Sequence, residues 1–186
     1  MATLISTLRP MCNAGTVDYT IAGTSYWTDD QLQTVLDRYR MQVYDETLYS
    51  QGNIGTGGTV SYQDYYSDYR NYETTSGGTA IFIVKDETHT NITTGYSVDY
   101  ERGKITFTAD QEGKTRYLSG YVYDLYAAAA DIWGQKAGHF AEMIDFTTDG
   151  HTIKRSHQIS AALAMERRYK GLSGQPGSSY MERGDT

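Results

Sequence analysis

The sequence predicts an α+β chain: a three-helix bundle with a small antiparallel β-sheet inserted after the first long helix, and a flexible C-terminal tail. Three observations predict it. Apolar residues recur at helical spacing after Trp27 and again from Tyr121 to Leu172. Glycine-bounded runs rich in β-favouring residues fill the middle. The composition changes to GQPGSSYMERGDT after Ser173. The expected arrangement is one domain over residues 1–172, with a helix at 27–50, a β insertion at 59–109 and helices at 121–144 and 153–171; residues 173–186 form the tail.

Leu4, Ile5, Leu8 and Met11 have helical spacing cut by Pro10, which predicts a short, weak first helix. Gly15 to Ser25 reads as linker. Leu32, Val35, Leu36, Tyr39 and Val43 then share one helical face. Thr28 and Gln31 have the spacing of a capping box, and Asp29 and Asp30 sit in the first turn, where the helix dipole favours anions. Glycines at 52, 55, 57 and 58 end that helix.

Val60 to Glu73 fits either helical or strand spacing, and the glycine pairs on both sides favour a strand. Thr79 to Lys85 is β-branched and apolar, hence a strand. Tyr96–Tyr100 and Lys104–Thr108 read as a hairpin turning on Gly103. In the central helix, Val122, Leu125, Ala129, Ile132, Trp133, Phe140 and Ile144 make a broad apolar stripe. Ala127 to Ala130, Gly134, Ala137 and Gly138 permit close approach of another helix. Asp149–Gly150 marks the turn into the last helix, expected to run antiparallel to the central one with Trp133 buried between helices.

The net charge of −7 argues against a nucleic-acid footprint, which wants a basic patch. No apolar run is long enough to span a membrane. Met1 to Leu4 opens no signal peptide, and the single Cys12 suits a reducing compartment. The chain has 18 tyrosines against 4 phenylalanines. Tyrosine combines apolar area with a polar tip, so this excess suits half-buried sheets and subunit interfaces. Tyr62, Tyr65, Tyr66 and Tyr69, with the Gly134 and Gly138 face, are the subunit-interface candidates.

No catalytic, metal or cofactor signature emerges, and the chain is expected to be no enzyme. Gly55 to Gly58 lacks the Gly-Lys-Ser/Thr of a phosphate-binding loop. His89, His139, His151 and His157 form no zinc pattern. Asp145 and Asp149–Gly150 lack the alternating acids of a calcium loop. Arg183-Gly184-Asp185 is too short a motif to carry weight.

Several phrases occur in a telling order. Tyr26-Trp27-Thr28-Asp29-Asp30-Gln31-Leu32 precedes Leu36-Asp37-Arg38-Tyr39-Arg40. Val98-Asp99-Tyr100-Glu101-Arg102-Gly103-Lys104-Ile105-Thr106-Phe107 precedes Tyr123-Asp124-Leu125-Tyr126 and the alanine run to Ala130-Asp131-Ile132-Trp133. Asp145-Phe146, Asp149-Gly150 and Arg155-Ser156 follow. From Tyr26 to Leu172 this order resembles the head-to-tail connector (adaptor) proteins of tailed bacteriophages.

The resemblance implies a structural virion protein of the neck, between capsid and tail, made in the host cytoplasm. It implies a homo-oligomeric ring, typically a dodecamer, that docks to the portal protein and meets a downstream neck or tail protein. DNA would pass through without specific binding; an acidic lining suits that, because a basic one would hold phosphate. The implied portal contacts are the basic helix end Arg167, Arg168 and Lys170, and the tail residues Tyr180, Met181 and Arg183. A stopper or tail-completion protein is the alternative within this class. A Tyr-rich carbohydrate-binding module of a tail structure is the alternative outside it, and glycan binding against co-sedimentation with portal would separate them.

Overall fold

A computed structural model describes residues 2–15, 19–21, 23–55, 57–76, 79–142, 146–148, 151–153 and 155–174. The chain begins with α1 (Ala2–Met11), β1 (Tyr19–Ile21), β2 (Thr24–Tyr26) and α2 (Asp29–Asp37). Ten strands follow: β3 (Arg40–Thr47), β4 (Tyr49–Ile54), β5 (Val60–Tyr66), β6 (Thr75–Ser76), β7 (Thr79–Ala80), β8 (Ile83–Lys85), β9 (Asn91–Ile92), β10 (Tyr96–Asp99), β11 (Lys104–Phe107) and β12 (Tyr117–Tyr123). The chain closes with α3 (Leu125–Glu142), β13 (Phe146–Thr148), β14 (His151–Ile153) and α4 (Arg155–Leu172). It divides into two compact units: Arg40–Tyr123, and Ala2–Tyr39 with Asp124–Gln175.

The first unit is a β-sandwich. One four-stranded antiparallel sheet runs β10-β11-β5-β4 and the other β3-β12-β8-β9. A single apolar cluster draws on both sheets: Tyr65, Ile105 and Phe107 from the first, and Val43, Val84, Leu118 and Val122 from the second, with Tyr72 and Phe82 beside them. Strand β11 shows the cause, because Ile105 and Phe107 alternate with less buried Lys104 and Thr106. Tyr65 meets the Phe107 ring edge-on at 5.4 Å, and Tyr72 meets Phe82 at 5.1 Å.

The expected three-helix bundle with a small sheet is therefore corrected. The β region begins at Arg40 and ends at Tyr123, well outside 59–109. The capping box on α2 is present in both directions: the Gln31 N–H donates to the Thr28 hydroxyl, and the Thr28 N–H to the Gln31 side chain. The helix ends at Asp37, however, instead of running to residue 50. Met41 and Val43 fit a period of two as well as a helical stripe, and pairing with β12 decides between them.

The central helix likewise begins at Leu125, not Tyr121, because residues 121–123 belong to β12. Asp124 marks the change, its carboxylate accepting the Ala127 N–H at 2.9 Å. The Gly15–Ser25 linker holds the β1–β2 hairpin. The single strand expected at 79–85 divides into β7 and β8.

Two local features shape the sandwich. In the β12–β3 ladder, Leu118 faces Glu46 and Gly120 faces Val43, so Tyr44 and Asp45 stand opposite Ser119 alone. This bulge puts Asp45 at φ 47°, and its N–H donates to the Ser119 hydroxyl at 3.0 Å. The β10–β11 turn needs Gly103, whose φ is +65° and where a Cβ would lie 2.2 Å from the Tyr69 carbonyl oxygen.

The second unit is helical. Helices α3 and α4 pack antiparallel: Tyr126 at the start of α3 stacks on Tyr169 near the end of α4, and Gly134 faces Glu166. β13 and β14 pair between them, Thr148 with His151; Asp149 and Gly150 lie outside the described residues. The C-terminal end of α1 is capped by α3. Lys136 donates its ammonium to the Cys12 carbonyl at 2.7 Å, and the Trp133 indole N–H donates to the Met11 carbonyl at 3.0 Å. Trp133 is only half-buried, with its polar edge committed to α1.

Candidate functional site

In the helical unit, a groove of about 420 Å³ follows the α3–α4 seam, lined by Ala127, Ala130 and Gly134 and by the polar side chains of Tyr39, Asp131, Glu166 and Lys170. The small residues create it. A Cβ on Gly134 would lie 3.4 Å from the Glu166 side chain, an ordinary contact, so α4 lies close here without requiring glycine. Ser173 also borders the groove, and its N–H donates to the Tyr169 carbonyl as α4 ends.

The groove's charges are satisfied. Asp131 pairs with Arg38 at 3.2 Å and accepts the Gln135 amide at 3.1 Å. Burial, then the Asp131 carboxylate, raise the Tyr39 phenol above its ordinary value. Glu166 and Lys170 pair at 2.6 Å across one helical turn, and that hydrogen bond raises the Lys170 ammonium pKa. Each of these carboxylates holds a cation.

Beside the groove, α4 carries four cations (Arg155, Arg167, Arg168 and Lys170) against one carboxylate, Glu166, within a chain of net charge −7. Arg167 and Arg168 are exposed. Among the described residues neither has an ion-pair partner, whereas Lys170 has Glu166. Ser160, Ala161, Ala164 and Gly171 of the same helix are exposed, as are the larger His157, Gln158, Leu163 and Leu172. Tyr180, Met181 and Arg183 lie outside the described residues.

The interface candidates separate. Tyr65 is fully buried in the sandwich, its hydroxyl donating to the Lys114 carbonyl at 2.9 Å. It presents nothing to a neighbouring subunit. Tyr62, Tyr66 and Tyr69 are half-buried, and the Lys104 ammonium lies over the Tyr66 ring at 5.6 Å. Gly134 is occupied by α4 of the same chain. Gly138 is exposed, with open space where a side chain would be.

The sequence reading missed Tyr39, Asp131 and Glu166 as groove residues. The Glu166–Lys170 spacing was the available signal. It also missed a polar cluster at the β3 bulge, where Asp45 binds Lys85 at 2.5 Å and His89 at 3.3 Å. The Lys85 hydrogen bond holds the Asp45 carboxyl below its ordinary value. His89 stacks on Tyr117 at 4.2 Å, and His139 shares a hydrogen bond with Tyr19 at 2.6 Å. Among the described residues, no three His, Cys, Asp or Glu side chains gather as a metal would need, and no helix is long and apolar enough to cross a membrane.

Comparison with known proteins adds no relative: no family model, curated protein or solved structure matches this chain.

Proposed function

We propose that this chain is a head-to-tail adaptor of a tailed bacteriophage: a structural subunit that forms a ring, meets the portal protein through the C-terminal end of α4 and leaves a passage for DNA. The observation that carries the reading is the exposed Arg167 and Arg168, without an ion-pair partner among the described residues, on the basic helix of an acidic chain. Cations near a helix C-terminus are favoured by the dipole without any partner. Here, however, Lys170 is tied to Glu166 while the two arginines remain available to an acidic surface. An arginine fork binds carboxylates in two-point geometry at a protein interface. The net acidity of the chain supports a passage that releases DNA.

Charge reversal tests the contact. Arg167→Glu with Arg168→Glu should weaken co-sedimentation with isolated portal rings by about tenfold or more, because each exposed pair is worth up to about 1 kcal/mol and reversal adds repulsion. The circular dichroism spectrum should be unchanged, since both side chains are exposed. Raising the salt should weaken wild-type binding and leave the variant's residual binding nearly flat. Equal binding by both proteins would remove α4 from the portal contact. Binding to a preformed adaptor ring but never to portal alone would make the chain a stopper or tail-completion protein.

A further inference from the structure

The two outer strands of the β10-β11-β5-β4 sheet lie in long runs almost free of charge. No Asp, Glu, Lys or Arg lies between Glu46 and Asp64, the run that contains β4, and β10 carries one only at its last residue, Asp99, after a run free of them from Glu87. The inner strands carry Asp64 and Lys104, paired at 3.1 Å. Among the described residues, strand β4 pairs with β5 alone and β10 with β11 alone, so each leaves one row of backbone groups without a strand partner there.

Natural edge strands are usually blunted by charge, proline, a bulge or brevity. The other sheet of the sandwich uses these devices. Its edge strand β3 carries Arg40, Asp45, Glu46 and a bulge, and its edge strand β9 has two residues. Strand β4, YSQGNI, has neither charge nor proline. Its register shifts between Gln51 and Asn53, which leaves Tyr49–Gln51 as a regular stretch. Its apolar side chains are also uncovered: Tyr49 is 60% exposed, Ile54 79%, and Val60, opposite Ile54, 46%.

We infer that β4 of one copy adds to β10 of the next, so that the sheet continues from subunit to subunit. The occupant is a second copy because of charge. Two chains of net charge −7 repel wherever like-charged surfaces meet; β4 carries no charge and the one charge of β10, Asp99, pairs with Arg102 of its own chain, so these two edges can approach with little like-charge contact. Joining two different edges makes a head-to-tail contact, which closes only as a ring. Ring closure rests on the adaptor reading above; the pairing of the two edges rests on the sheet itself.

Thiol cross-linking tests the pairing. Gln51 on β4 and Ser97 on β10 are both exposed and lie in one row across the outer face of the sheet, through Asp64 and Thr106, and the native Cys12 is buried, so Gln51→Cys and Ser97→Cys introduce the accessible thiols without disturbing the core. The reagent should be shorter than the roughly 14 Å that three strand spacings put between the two edges of one copy. The double variant should then give a ladder of dimers, trimers and higher multimers, while each single variant stays uncross-linked. Dimers from Gln51→Cys alone would overturn the inference, because β4 would then pair with itself. No cross-linking in a protein that sediments as an oligomer would also overturn it, moving the interface elsewhere while leaving the ring intact. A wild-type protein that sediments only as a monomer, with no ladder from the double variant, would overturn the edge pairing as well; the adaptor reading would then stand or fall on portal binding.

Discussion

Replacing Lys136 with methionine removes one charge from the place where α3 caps α1. The side chain is 2% exposed, with its ammonium 2.7 Å from the Cys12 carbonyl oxygen and 4.9 Å from the centre of the Trp133 ring. A hydrogen bond to a charged group contributes about 1.5–3 kcal/mol, and the carbonyl left behind costs about 1–3 kcal/mol when buried. The ring contact adds about 0.5–2 kcal/mol. Against these stands relief from burying an ammonium, several kcal/mol, and the apolar surface that methionine contributes. We expect a net loss of about 2 kcal/mol for Lys136→Met, read as a lower urea midpoint at unchanged slope. Trp133→Phe removes the second donor to the same helix end, so the double variant should deviate from additivity by about 0.5 kcal/mol or more. A Lys136→Met protein as stable as wild type would refute the reasoning, because desolvation would then balance everything the cap contributes.

Three other substitutions and one titration probe the rest of the fold. Gly103→Ala should destabilise by more than about 2 kcal/mol, since its Cβ meets the Tyr69 carbonyl oxygen and its φ is +65°; thermal melting reads the loss. Glu73→Ala should cost about 1–3 kcal/mol, because it removes an almost wholly buried carboxylate that pairs with Arg40 at 2.9 Å and accepts the Tyr123 hydroxyl at 2.8 Å. Thr28→Ala should cost about 1 kcal/mol through loss of the α2 cap, with little change in the sandwich. Hydrogen bonds hold the carboxyls of Asp45 (from Lys85), Asp86 (from Thr88) and Asp110 (from the N–H groups of Tyr62 and Glu112) below their ordinary values. Such groups stabilise above the unfolded value near pH 4 and lose that contribution as pH falls through their depressed folded values. Burial raises Glu46, whose contribution has the opposite sign. The three outnumber the one, so the denaturation midpoint should drop between about pH 4 and pH 2; a midpoint that rises on acidification would show that Glu46 dominates.

What the sequence revealed follows from the range of each interaction. The Thr28–Gln31 box and the Gly103 turn are set by neighbours within a few residues, and both are present in the structure. Whether residues 40–47 continue a helix is set by β12, some seventy residues away, and local periodicity fits both outcomes. Tyr121 to Tyr123 fit the helical stripe locally, and their pairing with Arg40 to Gln42 places them in β12 instead. The tyrosine excess was read as interface material, yet Tyr65, Tyr72 and Tyr123 are core residues. Each phenol reaches a polar partner inside the sandwich: the Lys114 carbonyl, Glu46 and Glu73 respectively. Composition cannot distinguish a tyrosine whose hydroxyl is satisfied within its own chain from one that waits for a neighbour. Gly134 faces Glu166 on α4 of its own chain, at ordinary contact distance.

The central claim is a ring at the portal, and averaged cryo-electron micrographs of particles carrying this protein test it most directly. The account predicts a closed ring of identical copies in the neck, with the C-terminal ends of the α4 helices directed at the portal and a clear passage along the axis. A single copy attached off-axis, or a ring whose α4 ends point away from the portal, would contradict it.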